Sequence, residues 1–154
     1  MTWVPVEGQK VRFFSKLDSS VVLGAAAGVG IFVHRIDNGL APEKTLFEVQ
    51  YIKDDGAFQL FLRNVPGISD MKLTWYWPQQ EPGACYLSLN PDFVDSGDWD
   101  HFRIDALDGP YFALNNNDKN RVVDILQSNT GEGARIEAYP WNGGDNQWWR
   151  AMPA

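Results

Sequence analysis

Three kinds of side chain that suit the binding of a sugar lie close together near the end of the chain. They are the carboxylate of Asp124, the aromatic ring of Tyr139 just before Pro140, and the amide of Asn146. A sugar ring offers hydroxyls for hydrogen bonds, which are strongest to a charged acceptor, and an apolar C–H face that can stack on an aromatic ring. We therefore expect this segment to hold a sugar.

The elements that must position these residues are short β-strands. Runs in which apolar and polar residues alternate, such as 57–62 and 111–114, are separated throughout the chain by Gly, Pro, Asn and Asp. Roughly a dozen such runs, with almost no helical periodicity between them, predict an all-β barrel or sandwich.

A threefold repeat refines this prediction. The pattern aromatic, charged, apolar recurs at 47–49, 102–104 and 149–151. Three diverged units of about 50 residues with four strands each are typical of a β-trefoil, a barrel with pseudo-threefold symmetry. We expect one domain over residues 1–154, with repeats at roughly 8–54, 55–107 and 108–154.

Composition excludes several classes of partner. The net charge is −7 and no cluster of Lys and Arg occurs, which argues against nucleic acid and against an anionic membrane surface. The longest apolar run is too short to insert in a membrane. Cys85 is the one cysteine, so no internal disulfide can form. The first residues lack the features of a secretory signal, so we expect a cytoplasmic location or release without a signal peptide.

Catalysis and cofactors are not expected. His34 and His101 are the two histidines, and with one cysteine they make a zinc site improbable. No nucleophile-elbow sequence is present. The acidic residues at 95–100 lack the distal Glu of a calcium loop, which favours a solvated turn. We expect a protein that is not an enzyme and that needs no metal or cofactor.

From Tyr111 to Ala151 the chain resembles a unit of the ricin B-type lectins. The shared residues are Val122–Ile125, Gly131-x-Gly133, Ile136–Pro140, Asn142–Gly144 and Asn146-Gln147-x-Trp149. The resemblance implies that Trp149 lies in the core, Gln147 braces the binding loop, Asp124 accepts hydrogen bonds from ring hydroxyls and Tyr139 stacks on the sugar. It also implies a preference for galactose or N-acetylgalactosamine. The expected sugar-binding residues are Asp124, Glu137, Tyr139, Asn142, Asn146 and Gln147.

Two residues depart from the family pattern. Glu137 stands where a Gln is common, and as a carboxylate we expect it to be unable to donate a hydrogen bond. Trp141 stands where secreted plant members often have a Cys, and it either extends the aromatic platform or packs on a neighbouring loop.

The first two repeats have lost the sugar-binding pattern. In the first repeat we expect Leu23 or Gly24 at the position of the Asp and Arg35 at that of the Tyr, and in the second we expect Trp75 near the Asp position. We therefore expect one site, with glycans or glycoproteins as partners. A single shallow site binds weakly, so a homodimer or a multivalent surface would supply avidity.

The alternative is a protease inhibitor or protein-interaction module. Loops on a rigid β-trefoil can serve either purpose, and fold alone does not decide function. The aromatic segment Trp75–Pro78 would then contribute to the binding surface.

Overall fold

The computed structural model describes residues 3–26, 30–36, 42–52, 56–67, 69–76, 86–91, 100–116 and 121–154. Twelve β-strands run through these residues: β1 Lys10–Ser15, β2 Val21–Ala26, β3 Gly30–Arg35, β4 Phe47–Tyr51, β5 Phe58–Leu62, β6 Met71–Tyr76, β7 Tyr86–Pro91, β8 Phe102–Asp108, β9 Tyr111–Asn116, β10 Val122–Ile125, β11 Ile136–Tyr139 and β12 Trp149–Pro153. Short 3₁₀ turns occupy Pro42–Thr45, Leu126–Ser128 and Asp145–Gln147. The part of the chain that is described has no helix with the length and apolar character needed to span a bilayer.

Six of the strands form a closed antiparallel barrel. Around the ring the order is β1, β4, β5, β8, β9 and β12, and β12 pairs again with β1. The remaining strands form the hairpins β2–β3, β6–β7 and β10–β11, one for each set of four strands. Closure leaves the barrel without an unpaired edge. The predicted β-trefoil with three four-stranded repeats is confirmed, while the limits proposed for each repeat stay a prediction.

The barrel core is built from aromatic side chains at equivalent positions of the three repeats. The first strand of each repeat contributes one ring and the last strand contributes another, and all six are fully buried: Phe13, Phe58, Phe112, Phe47, Phe102 and Trp149. The three aromatic positions that revealed the repeat in the sequence are therefore core positions.

Trp3 lies where the three repeats meet. Its ring packs against Phe13, Phe58 and Phe112, with ring centroids 5.8, 6.2 and 5.8 Å apart. Its indole N–H donates to Oε1 of Gln9 at 2.9 Å, so its polar edge is satisfied as well. No pattern in the sequence pointed to this role, because Trp3 precedes the first strand and belongs to no repeat.

Candidate functional site

The β10–β11 hairpin sets the geometry of the candidate site. Asp124 on β10 lies directly opposite Glu137 on β11. Val123 and Ile125, on either side of Asp124, belong to the core cluster. Because successive side chains of a strand point to opposite faces, Asp124 points away from the core, and Tyr139 shares the face of Glu137. Diagonal neighbours on such a pair are about 7–8 Å apart, so Asp124, Glu137 and Tyr139 form one compact group.

Gln147 holds this group to the loop that follows β11. Its amide nitrogen Nε2 donates to Oδ2 of Asp124 at 2.8 Å and to the carbonyl of Pro140 at 3.0 Å. Its Oε1 accepts the backbone N–H groups of Asn142 at 2.8 Å and Gly143 at 3.3 Å. A primary amide has two N–H donors and two acceptor lone pairs, and here all four are used. The side chain is fully buried, which agrees with the bracing role implied by the resemblance.

The two asparagines of the loop also make bonds within the protein. Oδ1 of Asn142 accepts the backbone N–H of Gly144 at 2.8 Å, which closes a turn around Gly143, whose φ is 78°. Nδ2 of Asn146 donates to the carbonyl of Ile125 at 3.0 Å and so ties the loop to the end of β10. Both residues therefore keep the loop in place beside the hairpin.

The carboxyl groups of Asp124 and Glu137 lie opposite each other across the hairpin. Burial, followed by hydrogen bonding to Asp124 and the charge of Asp124, raises the pKa of Glu137 to about 7, and the positive charge of Arg121 opposes this rise. Burial also raises the pKa of Asp124 above its ordinary value. In its protonated form Glu137 can donate a hydrogen bond to Asp124. The expectation that Glu137 cannot donate therefore applies only to its ionised form, because it treated the carboxyl as an isolated, solvated group.

Aromatic side chains lie on the open side of the site. Tyr139 is 46% exposed and Trp141 is 41% exposed. Trp141 packs edge-on against Trp148, with ring centroids 4.9 Å apart, and the indole N–H of Trp148 donates to the carbonyl of Gly143 at 3.2 Å. Of the two roles expected for Trp141, packing on a neighbouring part of the loop is therefore present.

Trp149 connects the site to the core. Its ring is fully buried, and its indole N–H donates to the carbonyl of Val123 at 3.0 Å. Val123 immediately precedes Asp124, so the residue that closes the repeat also fixes the strand that carries the carboxylate. The core position implied for Trp149 is confirmed.

The first repeat has different chemistry at the corresponding positions. Val22 lies between two core residues of β2 and opposite His34 on β3, as Asp124 lies opposite Glu137, and Thr45 stands in the place of Gln147. The expected equivalents are therefore wrong, Leu23 and Arg35 by one residue and Gly24 by two, because the sequence did not show the register of the hairpin. A cavity of about 250 Å³ opens here, lined by Arg12, Phe14, Val22, His34, Arg35, Ile36 and Thr45.

The second repeat also lacks the carboxyl pair. Thr74 on β6 lies opposite Ser88 on β7, and Asp100 stands two residues before Phe102, in the place of Gln147. Asp100 forms a buried ion pair with Lys72 at 2.8 Å. The repeat therefore has a charged structural contact where the third repeat has its site.

Trp75 does not stand at the Asp position. It is buried and packs on Phe102 at 5.9 Å between ring centroids, so it belongs to the core and not to a binding surface. Trp77, Pro78 and the acidic residues 95–99 lie outside the described residues. Among the residues that are described, no group of three or more His, Cys, Asp or Glu side chains is placed to hold a metal ion.

Comparison with protein families gives one match. Residues 98–154 match the family described as "Ricin-type beta-trefoil lectin domain-like". This match covers β8 to β12 and includes all six residues of the candidate site. Comparison with curated protein sequences gives no match.

Solved structures share the fold across the whole chain. The designed threefold-symmetric protein ThreeFoil superposes with a TM-score of 0.74 at 17% identity, over 93% of this chain and 97% of its own. The ricin B-like lectin of Macrolepiota procera, in complex with lactose, gives 0.74 at 13% identity, over 97% and 98%. An exo-β-1,3-galactanase from Clostridium thermocellum gives 0.74 at 17% identity, over 99% of this chain but 31% of its own. These similarities establish the β-trefoil fold.

Proposed function

We propose that the protein is a non-catalytic lectin that recognises galactose or N-acetylgalactosamine on glycans through one site in the third repeat. The observation that carries the proposal is the position of Asp124. Its carboxyl is held by Gln147 on the same hairpin face as the half-exposed ring of Tyr139. The group therefore offers a hydrogen-bond acceptor and a stacking surface to a single sugar ring.

The rigidity of the surrounding loop supports this function. Gln147, Asn142 and Asn146 use their amides to connect the loop to itself and to β10. Binding groups that are already held in place lose little conformational entropy when a ligand arrives. A shallow site with few contacts can therefore still bind a sugar, at a dissociation constant on the order of a millimolar.

The other repeats support a single site of this type. At the positions of Asp124 and Glu137 the first repeat has Val22 and His34, and the second has Thr74 and Ser88. None of these four side chains is a carboxylate. Tight attachment to a glycoprotein would therefore require several copies of the chain, for example a homodimer on a multivalent surface.

A conservative substitution of Asp124 tests the proposal. Because Asp124 is buried and bonded to Gln147, Asp124→Asn is preferable to Asp124→Ala, which would leave the amide of Gln147 without its acceptor. We expect the wild-type protein to bind terminal galactose or N-acetylgalactosamine on a glycan array and Asp124→Asn to lose this signal. Asp70→Asn is the matched control, since Oδ1 of Asp70 accepts a backbone N–H that asparagine can also accept. Equal binding by Asp124→Asn and wild type would remove Asp124 from the site.

A protein-interaction module is the second candidate, and one observation favours it. The exposed Trp141 packs on the half-buried Trp148, and the ammonium of Lys16 lies 5.6 Å from the ring of Trp148. Tryptophans are common among the residues that dominate protein contacts. An empty glycan array together with inhibition in a protease panel would favour this candidate.

A further inference from the structure

Resting on the sugar site proposed above, we propose that Asp124 and Glu137 share one proton and that the site binds its sugar only while this proton is present. Glu137 in its neutral form then takes the part that an amide plays at this position in many relatives. Binding of the glycan is consequently coupled to pH.

The hydrogen-bond arrangement supplies the first argument. Oδ2 of Asp124 already accepts from Nε2 of Gln147, whose orientation is fixed by its bonds to Pro140, Asn142 and Gly143. Asp124 is thus the acceptor in its hydrogen bond with Gln147. An ionised carboxylate has no donor, so a bond between the two carboxyl groups requires a proton, and Glu137 supplies it.

Strand register supplies the second argument. Asp124 and Glu137 are directly opposite each other, where side chains approach most closely and like charges destabilise a sheet. Asp124 is buried, so water screens this repulsion poorly. A buried carboxyl with a half-buried carboxyl directly opposite it can hold one proton in common with that partner, as in other paired carboxyl sites.

The other charged groups around the pair do not remove the proton. Arg121, next to β10, favours the ionised form of Glu137. Burial and the carboxyl of Asp124 outweigh the effect of Arg121, so the pKa of Glu137 is about 7. On β7 the backbone partner of Glu137 is Tyr86. On β3, which also packs against β11, His34 lies 2.8 Å from Glu132 and Arg35 lies 3.0 Å from Asp18. The polar side chains of His34 and Arg35 on that strand are thus directed to carboxylates other than Glu137.

The proton of Glu137 holds the two carboxyl groups in one fixed arrangement. A protonated carboxyl has one O–H donor and retains acceptor lone pairs. Because this O–H is donated to Asp124, the remaining lone pairs of both carboxyls are left to accept hydrogen bonds from sugar hydroxyls. Loss of the proton breaks the bond between the carboxyls and places a second negative charge beside Asp124. Because Asp124 must remain an acceptor, ionisation of Glu137 weakens binding instead of strengthening it.

A titration with lactose across pH tests the inference. We would follow amide shifts of isotope-labelled protein by NMR at pH 6, 7 and 8. For the wild type the dissociation constant should rise about tenfold from pH 6 to pH 8, because the binding-competent fraction falls by that factor around a pKa of about 7. Glu137→Gln carries an amide that does not titrate, so it should bind equally at all three values. Glu43→Gln, at an exposed position on the Pro42–Thr45 turn, should follow the wild type.

The outcomes separate this inference from the proposed function. Lactose binding by the wild type that is the same at pH 6 and pH 8 overturns the proton coupling and leaves the lectin function intact. The same holds if Glu137→Gln keeps the pH dependence of the wild type. Absence of binding at every pH overturns the lectin function and the coupling together. The shared proton has its own readout without sugar: the carboxyl carbon of Glu137 should titrate near pH 7, and titration near 4.5 would refute the pair.

Discussion

Nε2 of Gln147 donates a hydrogen bond to Oδ2 of Asp124 across 2.8 Å, and so joins residues 23 positions apart. Two residues after Gln147, Trp149 binds the carbonyl of Val123, next to Asp124. Gln147 and Trp149 thus both hold strand β10. Gln147 bonds to a side chain on the face of the site, and Trp149 bonds to the backbone from the core. The consequence is that the position of the carboxylate depends on the barrel itself.

The first prediction concerns the amide of Gln147. Gln147→Leu has a similar volume but leaves Asp124 and three backbone groups of the loop without their partner. Since each unsatisfied buried group costs about 1–3 kcal/mol and the loop groups can recover water, we expect a loss of about 2–4 kcal/mol in unfolding free energy. Urea denaturation measures this loss of unfolding free energy.

As a control, Gln127→Leu changes an exposed glutamine, and its unfolding free energy should remain within about 0.5 kcal/mol of the wild type. A similar stability for both variants would contradict the bracing role.

The barrel could be predicted from the sequence because the patterns that indicate it are local. Alternating strands, turn residues and a recurring aromatic at Phe47, Phe102 and Trp149 are all visible without knowledge of register. The six candidate residues of the third repeat are likewise gathered around one hairpin and its following loop, since β10, β11 and the Asp145–Gln147 turn adjoin each other.

The sequence did not show the pairing register of the hairpins or the surroundings of the side chains in the fold. In the first repeat the equivalents of Asp124 were misplaced by one or two residues, because the pairing of the strands is not visible in the sequence, whereas Trp75 in the second repeat does lie next to the equivalent position, at Thr74. The raised pKa of Glu137 follows from burial and from the carboxyl opposite, and neither is encoded in the neighbouring residues. Trp3 was overlooked because its partners lie in three separate repeats.

The second prediction separates the stacking surface from the fold. Tyr139 is 46% exposed, so its ring contributes little to the core. Tyr139→Ala should weaken binding of lactose about tenfold, because an aromatic contact is worth about 0.5–1.5 kcal/mol beyond the area that it buries. Tyr139→Phe keeps the ring and should bind within about threefold of the wild type. Both can be measured by NMR titration at pH 6, and wild-type affinity in Tyr139→Ala would exclude Tyr139 as the platform.

The third prediction concerns the contact of Trp3 with the three repeats. Trp3→Ala removes a ring that touches Phe13, Phe58 and Phe112, and should lower the unfolding free energy by about 3 kcal/mol. Trp148→Ala removes a ring of the same size from the surface loop and should cost much less. Guanidinium denaturation followed by circular dichroism compares them. An equal or larger effect of Trp148→Ala would mean that Trp3 does not secure the barrel.

The fourth prediction is the pH dependence of stability. The pKa of Glu137 rises from its ordinary 4.5 to about 7 in the folded protein, so between these values the folded chain retains a proton that the unfolded chain has lost. The stabilisation is complete below about pH 4.5 and is lost as pH rises through 7, with a slope of at most about 1.4 kcal/mol per pH unit from this group. Asp124, whose pKa is also raised, acts in the same direction.

Urea unfolding of the wild type and of Glu137→Gln between pH 5 and pH 8 measures this contribution. All other titrating groups are common to both proteins, so the difference between the two curves reports the carboxyl of Glu137 together with its effect on Asp124. The wild type should lose stability relative to Glu137→Gln as pH rises, and the difference should level off above pH 8. Parallel curves would show that Glu137 titrates alike in the folded and unfolded chains, and would remove the physical basis for a shared proton at Asp124.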